Sequence, residues 1–328
     1  MGKVLMSGIV EAINDIDFTV SRVLNDNSWS KISEHSEDGA NYWEIGDCKE
    51  IYIKGTVGTK KIDGSYWVYI IGFDHNGAKG IDFGTFKTKQ FNGVDICLVD
   101  DYYDVMNYGD HDNNANTSKT WADKNALWFN INHGRQGNKG GWKGCDLRYD
   151  ILGSTNKAPN GYLKDGLSYS RQGNDPDDYD IVNNPMPNTL LAAFPSDLRA
   201  VMKLMTVWTD NYGGPISFNE NTFLTRPISN ITESKDYLPL PACTEIDFDI
   251  NDNVSNEVRS GKVKRYEYYS NGNKKIKYKD NATSEAAIWL TRTPYFDTEY
   301  RFEAINGWGY RTNAQVYHAF GISPIFRV

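Results

Sequence analysis

The chain has 328 residues, of which 39% are hydrophobic and 13% are aromatic, and its formal net charge is −8 at pH 7. This apolar content can fill a hydrophobic core and excludes global disorder, while the acidic balance argues against nucleic acid or an anionic membrane as the main partner. No apolar run approaches the roughly 18 residues of a membrane-spanning helix, so no membrane insertion is expected.

The first predicted element is an amphipathic leader helix within residues 1–27. Apolar residues recur there at helical spacing from Ile9 to Leu24. Two arrangements stay open: the helix docks on the body of the protein, or it associates with its own copies in a homo-oligomer such as a trimer. The segment lacks the charged-then-apolar layout of a secretory signal, which predicts synthesis in the cytosol.

Strand patterns begin at residue 41. Alternation at Ile51 and Ile53 predicts a strand that turns at Gly55, and segments 65–73 and 94–99 predict two more strands.

Two polar stretches without periodicity, near 104–141 and 153–187, predict surface insertions. Their Asp and Asn residues lack the spacing of an EF-hand loop, so no metal site is assigned, although a structural calcium stays an open alternative.

Two further elements are predicted in the second half. Residues 195–206 carry an apolar stripe that starts with Leu198, and Ser196 is expected to be the N-cap of this helix. The Asn-Gly-Asn sequence at 271–273 predicts a hairpin over 264–279.

Catalytic motifs are missing from the sequence. It contains no HExxH, no GxSxG and no glycine-rich phosphate loop. The four cysteines (Cys48, Cys97, Cys145 and Cys243) are far apart, which predicts buried free thiols rather than disulfides or a zinc site. We therefore expect no catalytic residue and no cofactor, and a protein that is not an enzyme.

The C-terminal tract from Tyr295 to His318 contains seven aromatic residues in 24 positions, about twice the average of the chain, and no lysine. Tyr, Trp, Arg, Asn and Gly are the residues of rigid but adaptable recognition surfaces. From composition alone, a plain hairpin with core aromatics is an equal alternative.

Seven segments carry a family resemblance: NYWEIGD (41–47), YIIGFDHN (69–76), GGWKGCDLR (140–148), LLAAFPSDLRAVMK (190–203), YEYYSNGNKKIKYK (266–279), WLTRTPYF (289–296) and GISPIFRV (321–328). In this order they resemble proteins encoded by phages and prophages of Gram-positive bacteria, which look like members of the C-type-lectin-like class. The subtype is that of the formylglycine-generating enzymes. The resemblance implies an α+β fold with mixed β-sheets, few helices and long loops, and one ligand-binding domain over 28–328.

The end of the chain is also similar to the variable proteins of diversity-generating retroelements. In those systems a reverse transcriptase rewrites adenines in a C-terminal cassette, while the lectin-like scaffold displays the altered side chains. Here the two framing strands would be Trp289–Pro294 and Gly321–Phe326, although Thr291 and Thr293 depart from the usual motif. Within these strands Trp289, Leu290, Pro294, Gly321, Pro324 and Phe326 are expected in the core.

The resemblance and the composition together predict a ligand-binding surface at about 295–318, with Phe302 and Ile305 buried beneath it. Its target would be a protein or glycan on a bacterial cell surface, and its location the virion or tail fibre of a phage. A structural tail protein is the alternative. An enzyme of the formylglycine-generating type is disfavoured, because that chemistry uses copper-binding active-site cysteines. No close pair of cysteines lies near the C-terminus here, and the last cysteine is Cys243. The predicted site residues are Tyr295, Phe296, Asp297, Glu299, Tyr300, Arg301, Asn306, Trp308, Tyr310, Arg311, Asn313, Gln315, Tyr317 and His318.

Overall fold

A computed structural model describes most of the chain. The described residues are 19–58, 60–87, 94–99, 129, 131, 138, 140–154, 180–212, 228–247, 257, 260–295, 298, 300–316 and 319–328.

The described residues form twelve β-strands and five short α-helices, and this confirms the predicted α+β class. The strands are β1 (Cys48–Val57), β2 (Lys60–Phe73), β3 (Ile81–Lys87), β4 (Ile96–Cys97), β5 (Met205–Asp210), β6 (Ile231–Asp236), β7 (Lys277–Lys279), β8 (Ala282–Ala287), β9 (Trp289–Pro294), β10 (Arg301–Ile305), β11 (Arg311–Gln315) and β12 (Ile325–Arg327). The helices are α1 (Trp29–Glu34), α2 (Leu190–Ala193), α3 (Ser196–Arg199), α4 (Cys243–Ile246) and α5 (Glu267–Ser270).

The largest sheet is antiparallel and has the order β1-β2-β3-β12, so the last strand of the chain pairs with the third. Aromatic packing holds this junction: the rings of Phe83 and Phe326 stack at 5.1 Å, and Trp29 meets Phe83 edge-on at 5.5 Å. The C-terminal strand is therefore part of the core.

A second sheet, of order β11-β10-β9, contains the aromatic tract. It is tied to the segment before β12, because Leu290 donates its N–H to the carbonyl of Gly321 at 2.8 Å. A Cβ atom at position 321 would lie 2.3 Å from Cys97 Sγ, so only glycine fits this approach. The six residues expected to anchor the framing strands are all buried, which confirms that prediction.

Two smaller sheets complete the described part: β4-β7-β8, in which β4 and β7 run parallel, and the antiparallel pair β5-β6.

The strand predictions needed correction in their bounds. Strand β1 continues through Gly55 to Val57, because a hydrogen in place of a side chain at Gly55 lets Ala193 approach; an added Cβ would be 3.1 Å from that of Ala193. Strand β2 starts at Lys60, before the predicted 65, and the strand predicted over 94–99 is limited to Ile96–Cys97.

The predicted helix over 195–206 is wrong after Arg199. Pro195 occupies the N-cap position that Ser196 was expected to take, and the helix is only four residues long. After Arg199, backbone pairing with other segments outweighs the helical propensity of the sequence. Lys203 donates its N–H to the carbonyl of Arg327 at 2.8 Å, and Met205 starts strand β5.

The predicted hairpin over 264–279 is also wrong. Residues Glu267–Ser270 are helical, with Tyr268 and Tyr269 buried, and the hairpin forms one strand later between β7 and β8. The aromatic run thus packs as a helical turn rather than as a strand.

The leader helix lies largely outside the described residues, but residues 19–23 are not helical and Leu24–Asp26 form a single 3₁₀ turn. The side-chain amide of Asn27 accepts a hydrogen bond from the N–H of Ser21 at 3.0 Å and donates one to the carbonyl of Ser21 at 2.9 Å, and so competes with helical hydrogen bonding.

Most of the predicted insertions near 104–141 and 153–187 also lies outside the described residues. Phe129 and Ile131, within the first, are buried.

Candidate functional site

The C-terminal tract folds into an antiparallel hairpin made of β10, β11 and the turn 306–310, which we call the aromatic hairpin. Strand β10 pairs with β9 on its other side, and all six residues of β9 are buried. Among the described strands, β11 is at the edge of this sheet. The hairpin therefore projects from a buried strand.

The turn of the hairpin is fixed by Asn306. Its Oδ1 accepts hydrogen bonds from the N–H groups of Trp308, at 2.9 Å, and Tyr310, at 3.0 Å. Its own N–H donates to the Tyr310 carbonyl at 2.8 Å, and Gly309 adopts a φ of +81° that favours glycine. Asn306, predicted to contact a ligand, thus has a clear role in shaping the turn.

The tip of the hairpin presents two aromatic side chains to solvent. Trp308 is 77% exposed and Tyr310 is 67% exposed, the two highest values among the large hydrophobic residues of the described part. Their N–H groups are held by the Asn306 side chain, so the backbone that carries the two side chains is set before any ligand arrives.

The register of the strands divides the hairpin into two faces. Phe302 and Ala304 of β10 lie on the same face as Ala314 and Thr312 of β11, and the first three are buried. This confirms the expected burial of Phe302. Ile305 lies on the opposite face and is also buried as expected.

That opposite face collects four of the predicted site residues, because Arg301 pairs with Gln315, Asn313 with Glu303 and Arg311 with Ile305. These four side chains, those of Arg301, Arg311, Asn313 and Gln315, are half-buried rather than fully exposed. Arg311 donates from Nε to Glu303 Oε2 at 2.8 Å, so its guanidinium already serves a buried carboxylate.

Two further predicted residues, Tyr295 and Tyr300, lie at the base of the hairpin. Both are half-buried, and Arg301 Cζ is 5.4 Å from the centre of the Tyr300 ring. Five predicted residues lie outside the described part of the chain: Phe296, Asp297, Glu299, Tyr317 and His318.

Asn138, which sequence reasoning missed, ties this base together. Its Nδ2 lies 2.7–2.9 Å from the carbonyl oxygens of Tyr295, Thr298 and Arg301. Asn138 comes from a segment predicted to be a surface insertion, yet it is fully buried. Because this segment is polar and has no hydrophobic periodicity, its sequence gives no sign that Asn138 is buried against the hairpin.

Beneath the hairpin, Arg292 of β9 is fully buried and uses all five of its N–H donors. It forms a bidentate ion pair with Glu245, with distances of 2.7 and 2.9 Å. The other three donors bind Thr209 Oγ1 at 3.0 Å and two main-chain carbonyls, those of Leu240 at 2.8 Å and Trp208 at 3.5 Å. Arg292 therefore joins β9 to helix α4, strand β5 and the segment before α4.

Two buried carboxyl groups next to Arg292 titrate in opposite directions. Burial alone would raise the pKa of Glu245, but Arg292 and His75 outweigh it and lower this pKa to about 2. Burial raises the pKa of Glu257 to about 7, although Thr293 donates to its Oε2 at 2.7 Å. Glu245 is thus a permanent anion and Glu257 an acid that titrates near neutrality.

Nucleophilic or metal chemistry finds no support in the described residues. All four cysteines are free and buried, as predicted, and burial raises the pKa of Cys97 to about 12. No group of three or more His, Cys, Asp or Glu residues in the described ranges is arranged to hold a metal ion. Helices there that are long and apolar enough to cross a membrane are likewise absent.

Comparison with known protein families shows which family this chain belongs to. The sequence profile of a family described as "Domain of unknown function (DUF6273)" matches residues 122–328, more than half of the chain. The chain belongs to the DUF6273 family. The matched DUF6273 region contains strands β5 to β12, and therefore the aromatic hairpin together with Arg292 and Glu245. No curated protein and no solved structure matches the chain.

Replacement of Arg292 by Met should lower the free energy of unfolding by about 3–5 kcal/mol, because it leaves Glu245 buried without its main counter-charge. Urea denaturation followed by circular dichroism measures this. Lys279→Met, which breaks the exposed pair with Glu285, is the matched control and should cost less than about 1 kcal/mol. A cost for Arg292→Met no larger than that of the control would contradict the assigned role.

The pH dependence of stability should carry the signature of Glu257. Its folded pKa of about 7 lies above the ordinary 4.5, so its contribution is fully present below about pH 4.5 and is lost as pH rises through 7. Glu257→Gln removes this dependence and keeps an acceptor for Thr293. Relative to wild type, the variant should gain up to about 3 kcal/mol between pH 5 and pH 8 in urea titrations. A constant difference across that range would show that Glu257 does not titrate there.

Proposed function

We propose that this DUF6273 protein is a non-enzymatic ligand-binding protein whose aromatic hairpin recognises a protein or glycan on a bacterial cell surface. The observation that carries the proposal is the exposure of Trp308 and Tyr310 at the tip of a turn fixed by Asn306. Large exposed aromatics with few rotatable bonds bind partners at a low entropic cost. A purely structural hairpin has no need to display them.

The proposal includes a C-type-lectin-like fold of the formylglycine-generating-enzyme subtype, and a place in a phage or prophage virion or tail fibre. The motif resemblance supports both, and the mixed β-rich architecture is compatible with the fold. In the same reading, a diversity-generating retroelement varies the tract at 295–318. A reverse-transcriptase gene and a near-identical template repeat beside this gene are the genomic observations that test it.

The structure narrows the positions that such variation could use. Asn306 shapes the turn, and Arg311 compensates the buried Glu303, so both have structural duties that restrict substitution. Trp308 and Tyr310 at the tip, with Asn313 and Gln315 on the edge strand, form the proposed variable contact set among the described residues.

A structural tail protein is the second candidate, and one observation favours it. Strand β11 has no further partner strand within the described ranges, so another copy of the chain could add a strand there. Light scattering of the purified protein tests this second candidate: the structural proposal requires self-association, so a monomer would contradict it, whereas the recognition proposal is compatible with a monomer or an oligomer.

Trp308→Ala/Tyr310→Ala should reduce binding of the fluorescently labelled protein to intact Gram-positive cells by at least about tenfold, as expected for loss of two aromatic anchors. Flow cytometry across a panel of strains measures binding. Both side chains are exposed, so the melting temperature should not change. Tyr212→Ala, at a tyrosine that is 65% exposed elsewhere, is the matched control and should bind normally. Undiminished binding by the double variant, or no binding of the wild type to any strain, would contradict the proposal.

A further inference from the structure

A cavity of about 420 Å³ lies apart from the tip of the aromatic hairpin, next to His75. We call it the His75 cavity. Its walls include His75, Trp208, Glu245, Lys262, Lys264 and Tyr266. Sites for small molecules usually measure about 300–1,000 Å³, so this cavity is large enough for a ligand the size of one sugar ring or more.

His75 is held rigidly in the wall of this cavity. Its ring stacks on that of Tyr266, with centroids 3.7 Å apart and an interplanar angle of 19°. Its carbonyl accepts a hydrogen bond from Arg327 Nη2 at 3.1 Å. The orientation of the imidazole is therefore fixed before a ligand binds.

The Nε2 atom of His75 is buried but makes no hydrogen bond to any described residue. The residue is only 9% exposed, and the nearest carboxylate oxygen, Glu245 Oε1, is 3.8 Å from Nε2. At this distance the Glu245 carboxylate is within reach of an ion pair but too far for a hydrogen bond, and a buried polar atom that lacks a hydrogen bond is unfavourable in a folded protein. A polar ligand atom in the cavity would supply the missing hydrogen bond.

The charges around the cavity favour an anion. Two of its lining charges are already compensated within the protein, because Glu245 pairs with Arg292 and Arg327 donates to Asp82 at 2.8 Å. The other two, Lys262 and Lys264, are exposed and form no ion pair within the described part of the chain. Among the described residues that line the cavity, two positive charges are therefore left without a counter-charge.

Trp208 supplies a flat aromatic wall. It is half-buried on strand β5, and Lys262 Nζ lies 5.2 Å from the centre of its ring. A ring stacked on Trp208 would place its substituents near this ammonium group. Because this ammonium lies over the Trp208 ring, a ligand ring that packs on Trp208 would replace the cation–π contact, and its negative group could pair with the displaced ammonium.

We infer that the His75 cavity is a second binding site, for a small ring-bearing anion whose carboxylate or phosphate meets Lys262 and Lys264 while its ring stacks on Trp208. His75 Nε2 contributes a hydrogen bond to the same ligand. The inference does not depend on the proposed function of the hairpin, since none of these residues belongs to the tract at 295–318.

Isothermal titration of the full chain tests this inference with four probes: glucuronate and glucose 6-phosphate, which carry the anion on a sugar ring, benzoate, which carries it on an aromatic ring, and inorganic phosphate. Neutral glucose is the uncharged reference. At least one ring-bearing anion should bind at least about tenfold more tightly than inorganic phosphate and glucose. The preferred probe identifies the ring as a sugar or an aromatic group.

Variants then locate the site. Lys262→Ala and Trp208→Ala should each weaken the preferred probe by at least about tenfold, whereas Lys61→Ala, at an exposed lysine of β2, should not. Trp208→Phe keeps an aromatic face and should retain most of the affinity. If Trp208→Ala fails to fold, this variant still reports on whether an aromatic face at position 208 supports binding. Trp308→Ala/Tyr310→Ala should bind the probe like wild type, so the two proposals can fail separately. The inference is overturned if all ring-bearing anions bind no better than glucose or inorganic phosphate, or if Lys262→Ala and Trp208→Ala bind the preferred probe as tightly as Lys61→Ala does.

Discussion

The ion pair between Arg292 and Glu245 is the contact on which the C-terminal half of the fold depends. Both side chains are buried, and a buried ion pair stabilises a protein only when every donor and acceptor is satisfied. Arg292 meets this condition with five hydrogen bonds that reach helix α4, strand β5 and the chain between them. Strand β9 is thereby fixed, and β9 is the strand against which the aromatic hairpin is built.

The same carboxylate connects the two surfaces for which we propose binding. Glu245 holds Arg292 below the hairpin, and it also forms part of the wall of the His75 cavity. The two surfaces differ in chemistry. The hairpin tip presents Trp308 and Tyr310 to solvent, which suits the broad surface of a macromolecule, whereas the cavity encloses a small volume with excess positive charge, which suits a small anion.

Prediction from the sequence was most successful for apolar residues, whose main physical requirement is burial. The burial of Phe302, of Ile305 and of the framing strands was predicted because apolar residues next to Gly and Pro motifs have few alternatives. It failed where distant pairing overrides local preference, as in the helix predicted over 195–206, part of which is strand β5. The partnership of Arg292 with Glu245, 47 residues apart, and the role of Asn138 could not be predicted, because neither leaves a periodic pattern in the sequence.

The central claim is that the aromatic hairpin is preorganised on a buried, charge-anchored strand, and hydrogen–deuterium exchange of the unbound protein tests it most directly. The amides of β9 and β10 should exchange as slowly as those of β2 and β3 in the main sheet, because both sets would open only when the core unfolds. Rapid exchange of β9 and β10 while the main sheet stays protected would contradict the account, since the hairpin would then be ordered by its partner and not by Arg292.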